Sequence, residues 1–261
     1  MSANAPKREV SRMRERRTVA IDSVSESPIR HQDCDAIVLV DVICDTTTLV
    51  TAVGQGRAAF AAASPPAALH IARGLQDPLV GLDEEEAWRP GFHMSNSPAA
   101  LAALPDARPL VLSCGAGATL AANGLFWPDV YLACLRNLAA TARHIAFRHR
   151  QVLILDAAND SDVRCEDQMA AARIAQHLVD AGFEPTGLTT NETLRRWSRA
   201  DFSLISWGRS AEELRRHRRA ADLAFVLSHI DDLDVVCAFS SGSRGAAAAV
   251  AQPASVLSVT A

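Results

Sequence analysis

Short apolar runs rich in β-branched residues alternate along the chain with longer segments whose apolar positions recur at helical spacing. The strand-like runs are Val19–Val24, Ala36–Val42, Leu110–Ser113, Val130–Leu135, Val152–Asp156 and Val235–Phe239. In Ala36-Ile-Val-Leu-Val40 every position is apolar, the pattern of a strand covered on both faces. Helical spacing predicts helices over Thr47–Gln55, Pro66–Arg73, Asn137–Phe147, Glu166–Ala181 and Glu212–Arg219. The fourth is the most regular: Met169, Ala170, Ile174 and Leu178 form one stripe, acids open the helix and Gly182 closes it. The alternation predicts an α/β layered fold, a mainly parallel or mixed sheet flanked by helices.

Two ends depart from this pattern. Residues 1–17 are basic (Lys7, Arg8, Arg12, Arg14, Arg16, Arg17) with little apolar content, which predicts a disordered or solvated tail rather than a nucleic-acid arm. Residues 245–261 are low in complexity and are expected to form a C-terminal tail. Between them, residues 18–244 read as one α/β domain, and a chain of 261 residues that is 49% apolar has enough material for one sizeable core.

A net charge of −4 gives no general attraction to nucleic acid or an anionic membrane. Lys7 is the one lysine, so the cationic groups are guanidiniums, which hold phosphate or carboxylate in a bidentate fork. The cysteines (Cys34, Cys44, Cys114, Cys134, Cys165, Cys237) include no CxxC pair, which argues against structural zinc. With no secretory leader and no apolar run of the roughly 20 residues a spanning helix needs, reduced thiols and a cytoplasmic location are expected.

Candidate chemistry gathers where strand-like runs end. Asp41-Val-Ile-Cys-Asp-Thr-Thr-Thr48 follows the first continuous apolar run, and ligands of α/β sheets collect at the carboxyl ends of strands. Asp41 and Asp45 offer oxygen ligands to a hard cation, and Thr46, Thr47 and Thr48 offer hydroxyls and amides to an anion at a helix N-terminus. The plainer reading is a helix cap. In the turn after Leu110–Ser113, Gly115 and Gly117 allow backbone amides to cradle a phosphate. The same glycines could open a dinucleotide fold, but Leu120 stands where a third glycine belongs. Cys114 reads as a small buried thiol, because no arginine closes the loop around it.

The run Asp156 to Asp167 again takes a strand into acids. Carboxylates from two strand ends can share a divalent cation and orient a water against phosphorus, or can simply favour the positive end of a helix dipole. In Gly91-Phe-His-Met-Ser-Asn-Ser-Pro98, Ser97-Pro98 suits a helix start and His93 a surface turn. Arg195-Arg196 and Arg215-Arg216-His217-Arg218-Arg219 read as solvated helix faces.

In this order the segments resemble the 2-phosphosulfolactate phosphatase family. Its Asp-Val-(Leu/Phe)-Arg-Ala-Thr-Thr-Thr is similar to Asp41–Thr48, and its Gly-Phe-Asp-x-Gly-Asn-Ser-Pro to Gly91–Pro98. Its Thr-Thr-Thr-Asn-Gly-Thr is similar to Ser113–Ala118, its Asn-Ala to Asn137-Leu138, and its Ser-Leu-Glu-Asp to Arg164-Cys-Glu166-Asp167. The similarity continues through Ser206-Trp-Gly-Arg209 and Asp222-Leu-Ala-Phe225.

This resemblance implies a Mg²⁺-dependent phosphatase that hydrolyses a phosphorylated small hydroxy acid, as in coenzyme M biosynthesis. Asp41, Glu166 and Asp167 would hold Mg²⁺ and carry catalysis. Thr46, Thr47, Thr48, Gly115 and Gly117 would take phosphate oxygens, and Asn96 and Asn137 would orient the substrate. The expected partner is a small anionic phosphorylated molecule, with no nucleic acid or membrane and with homodimerisation left open. Cys44 stands in place of the first motif's arginine, His93 in place of an aspartate, and Cys114, Gly115, Ala116 and Ala118 in place of polar loop residues. The alternative is therefore a family member that binds an anionic ligand or partner without turnover.

Overall fold

Eleven strands form one sheet in a computed structural model that describes residues 16–23, 33–82, 89–116, 129–156 and 164–239, with the backbone of 248–253. The strands are β1 (Thr18–Ser23), β2 (Ala36–Val40), β3 (Ala59–Ala62), β4 (Leu79–Leu82), β5 (Met94–Ser95), β6 (Leu110–Ser113), β7 (Asp129–Ala133), β8 (Gln151–Asp156), β9 (Glu184–Pro185), β10 (Cys237–Phe239) and β11 (Ala248–Pro253). The helices are α1 (Asp45–Gly54), α2 (Pro65–Ala72), α3 (Pro98–Ala102), α4 (Leu138–Arg148), α5 (Cys165–Asp180), α6 (Leu188–Trp197), α7 (Arg209–Arg216) and α8 (Ala220–Ser228). Short 3-10 turns cover Leu135–Asn137 and Phe202–Trp207. No helix among the described residues is long and apolar enough to cross a membrane.

The sheet order is β5-β4-β6-β3-β11-β10-β7-β2-β8-β1-β9. Pairing is parallel within β5-β4-β6-β3 and within β7-β2-β8-β1-β9. The joints β3–β11, β11–β10 and β10–β7 are antiparallel. Three reversals in succession make the two parallel halves run in opposite directions.

The fully apolar run of β2 is explained by its position, with Val38 paired to Tyr131 on one side and Ile154 on the other. Because side chains alternate across a strand, Val38, Val40 and Ile154 pack with Met169 and Ile174 of α5 on one face. Ile37, Leu39, Leu153 and Leu155 pack with Leu49, Val50 and Val53 of α1 on the other. α2 and α3 both start at Ser-Pro: the hydroxyls of Ser64 and Ser97 accept from Ala67 N (3.4 Å) and Ala100 N (3.1 Å), and proline fills the first turn.

Several boundaries differ from the sequence expectation. β2 stops at Val40 because residues 42–44 already turn into α1, which begins at Asp45. β7 stops at Ala133 because Leu135–Asn137 form a 3-10 turn. β3, β4, β5 and β9 were not expected as strands, nor α6 and α8 as helices. β3 reads Ala-Phe-Ala-Ala, a helix-prone composition, and is a strand because β6 and β11 pair with it on either side. β11 falls inside the expected C-terminal tail, yet its backbone bridges β10 and β3 and joins the two halves of the sheet. Residues 1–15 and 240–247 lie outside the described residues, as does Val24.

Candidate functional site

The segment Asp41–Thr48 carries two groups of polar side chains, one on either side of it. It is held by its own threonines. Thr46 Oγ1 donates to Asp41 O at 2.6 Å and accepts from Asp41 N at 3.1 Å, while Thr47 Oγ1 donates to Val42 O at 2.7 Å. The N–H groups of Thr46 and Thr48 donate to Asp41 O and Cys44 O. The three hydroxyls expected to face a ligand are therefore turned into the protein, and all three residues are buried.

The first group centres on Asp45, 2% exposed in the first turn of α1. Its Oδ1 accepts from Asn96 Nδ2 at 2.7 Å and its Oδ2 from Ala116 N at 2.9 Å. Asn96 Oδ1 in turn accepts from Thr48 Oγ1 at 2.6 Å. Asn96 follows β5, Ala116 follows β6 and Asp45 follows β2, so residues that follow strands of both halves meet at the start of α1. In the glycine-rich turn, the Ala116 N–H is taken by the Asp45 side chain. A Cβ added at Gly115 would lie 3.4 Å from Asp45 Oδ2, so glycine lets the chain pass close to the acid. Gly117 lies outside the described residues.

The second group is acidic. β8 ends in Asp156, and α5 presents Glu166 and Asp167 from its first turn, all three buried. Asp167 Oδ1 accepts from Val42 N at 2.7 Å, beside Asp41. Glu166 Oε2 accepts from Cys165 Sγ at 3.4 Å. Glu166 Oε1 and Asp167 Oδ2 have no hydrogen-bond partner among the described residues. Burial, then the adjacent Glu166 charge, pushes Asp167 well above the usual carboxylate range; Asp156 adds to this, while the Val42 N–H and Arg164 oppose it. Cys165 is likewise pushed up to about 11 by burial and by Glu166, so it stays a thiol.

Buried carboxylate oxygens lacking donors have the donor chemistry of a hard-cation site. Among the described residues, no three His, Cys, Asp or Glu side chains converge as a ready cage for one. The fit is thus one of donor type and not of preset geometry.

Asn137 stands apart from both groups. Its Oδ1 accepts from Cys134 N at 3.0 Å, and its Nδ2 donates to Leu132 O and Val235 O, each at 3.2 Å. Its amide buttresses the turn after β7 and is bonded entirely to backbone. His93 is exposed, as expected, and its Nδ1 accepts from Val80 N at 3.0 Å. Cys114 is buried, as expected.

Three contributors were not assigned from sequence. Gly208, ahead of α7, passes so close to the acids that an added Cβ would meet Cys165 Sγ at 2.6 Å and Glu166 Oε2 at 3.6 Å. Asp222, buried on α8, accepts from Ser97 Oγ at 2.6 Å and Ala99 N at 3.1 Å. Arg219 donates Nε to Asp222 Oδ2 at 2.9 Å and Nη2 to Asn96 O. The run 215–219 was expected to be a solvated face. That holds for residues 215–218, which are exposed, and fails for half-buried Arg219. A signal for Gly208 and Asp222 existed in the Ser206–Arg209 and Asp222–Phe225 matches, but nothing in the basic run set Arg219 apart.

A sequence profile of the family described as 2-phosphosulpholactate phosphatase matches residues 22–242. A probable 2-phosphosulfolactate phosphatase of Symbiobacterium thermophilum is 28% identical over 213 residues, 78% of this chain and 91% of that protein. One from Deinococcus radiodurans is 32% identical over 152 residues, 57% of this chain and 63% of that protein.

Proposed function

This chain belongs to the 2-phosphosulpholactate phosphatase family, and we propose that it is a Mg²⁺-dependent phosphatase acting on a small phosphorylated hydroxy acid such as 2-phosphosulfolactate. The observation that supports the proposal is the pair of buried oxygens, Glu166 Oε1 and Asp167 Oδ2, that have no donor among the described residues. A buried carboxylate oxygen with no donor is costly, and a bound cation would offset that cost. Asp41, Glu166 and Asp167 would hold the ion. When bound, Mg²⁺ supplies positive charge at the phosphoryl oxygens and a more acidic water.

The chain's own residues act around it. The Val42 N–H keeps Asp167 in place. The N-terminus of α1 offers its partial positive charge to the substrate's phosphate. Asn96, gripped by Asp45 and Thr48, holds the turn that faces α1.

The test is phosphate release from 2-phosphosulfolactate and related phosphorylated hydroxy acids, with Mg²⁺ and then with EDTA. Release that is abolished by EDTA and by Asp41→Asn with Glu166→Gln supports the reading; release indifferent to both removes it. A second reading, ligand binding without turnover, is favoured by Cys44, Ala116 and Ala118 standing where the resembling motifs carry polar side chains. It predicts that inorganic phosphate raises the melting temperature of a protein that releases none.

A further inference from the structure

We propose that Arg219 is a positioning residue of this site: from the start of α8 it holds the turn at 96–99, and through Asn96 it holds the Asp45 carboxylate. The inference rests on the phosphatase reading and deepens it.

Arg218 adopts a left-handed backbone (φ 59°), a conformation that side-chain-bearing residues rarely adopt, and the chain reverses there between α7 and α8. The reversal leaves residues 215–218 in solvent and brings Arg219 inward. Its guanidinium then touches three separate segments. Nε donates to Asp222 Oδ2 at 2.9 Å, and Nη2 reaches both Asn96 O and Cys44 Sγ, the latter at 3.6 Å.

Asp222 extends the grip, accepting from Ser97 Oγ and Ala99 N through its other oxygen. One Arg–Asp pair therefore bonds residues 96, 97 and 99, and also touches residue 44. Cys44 and Asn96 are two of the neighbours that fix Asp45, beside Ala116: Cys44 precedes it in the chain, and Asn96 bonds its Oδ1. A lysine ammonium is a point charge and cannot reproduce a planar fork spanning three segments. An ordinary exposed ion pair would contribute little, but Asp222 is buried and accepts from three donors.

The experiment compares full-length wild type with Arg219→Ala and Arg219→Lys, well below their melting temperatures. Two readouts are taken: Mg²⁺-dependent phosphate release from 2-phosphosulfolactate and peptide-resolved hydrogen exchange. Positioning predicts that kcat falls about 10²-fold in Arg219→Ala while KM stays within about twofold. Added methylguanidinium should restore part of kcat in the alanine variant. Exchange should quicken in peptides covering 94–102 and 113–116 and stay at the wild-type rate in β2 and β8.

If Arg219→Ala does not fold, Arg219→Lys carries the test, and an unchanged kcat there overturns the proposal. Unchanged kcat and exchange in Arg219→Ala, or exchange that quickens throughout the molecule, also overturn it. A wild type that releases no phosphate, with the local exchange change still seen, removes the phosphatase reading and leaves the positioning of Asn96 and Asp45 standing.

Discussion

The backbone N–H of Val42 donates to Asp167 Oδ1 at 2.7 Å, joining residues 125 positions apart. The carbonyl of Val42 accepts from Thr47 Oγ1, so the backbone of this one residue links the acids of α5 to the start of α1. Asp167 is thus oriented by the turn that carries Asp41 and Asp45, and its remaining oxygen stays without a donor among the described residues.

Asp167→Asn keeps the oxygen that accepts from Val42 and removes the buried titrating carboxyl group. In EDTA near pH 8 the variant should be more stable than wild type by about 1–3 kcal/mol in urea denaturation, with phosphate release down about 10²-fold or more. The sign with pH follows from the raised pKa of Asp167. Wild-type stability from this group is fully present below the unfolded value near 4 and is lost as pH rises through the higher folded value. The advantage of Asn should therefore widen as pH rises. A variant no more stable than wild type contradicts the account.

Asp45→Asn should destabilise the fold by about 2–3 kcal/mol, because the carboxamide turns an N–H₂ toward either Asn96 Nδ2 or Ala116 N, both donors. Thr48→Val, which removes a single donor to Asn96 Oδ1, should cost about 1 kcal/mol. Urea midpoints of the two variants check the ranking.

Gly208→Ala places a methyl group 2.6 Å from Cys165 Sγ and 3.2 Å from Ile205 O. The expected cost is about 1–3 kcal/mol. Adding Cys165→Ala should recover part of it and leave the contact with Ile205. A double-mutant cycle with no coupling between 165 and 208 would show that the helix ends move apart freely.

Far from the acids, Tyr131 Oη contacts His149 Nε2 at 2.8 Å and His144 Nε2 at 3.4 Å. Burial is the first cause holding both histidines below their ordinary pKa; Arg148 adds to this, while Asp129 opposes it for both and Asp35 for His149. A depressed folded pKa means stability that is present above the unfolded value near 6.5 and lost as pH falls below it. The urea midpoint should therefore drop between pH 7 and pH 5, and His149→Gln should flatten that slope. A slope identical in the variant would remove His149 from the account.

Much of the layered fold is legible in local pattern. β2 shows as a run that is apolar at every position and β8 as one that is apolar from Val152 to Leu155, because both of their faces are covered, and α5 shows as a stripe because one face is. The Ser97-Pro98 start is equally plain, since its cap is made within three residues. The acids of the candidate site were visible too, as carboxylates following strand-like runs. Their surroundings were not. Asn96 and Asn137 look alike in sequence, yet one grips Asp45 and the other is bonded wholly to backbone.

The alternation of strands and helices, the covered inner strands and the acids at strand ends are local properties of the chain, because each depends on residues a few positions apart. Long-range packing makes Ala59–Ala62 and Ala248–Pro253 strands, sets the two halves of the sheet against one another, and takes Arg219 from its solvated neighbours to Asn96. Those outcomes depend on backbone groups and side chains finding partners in other elements of the chain, and such a pairing leaves no periodic trace in the local pattern.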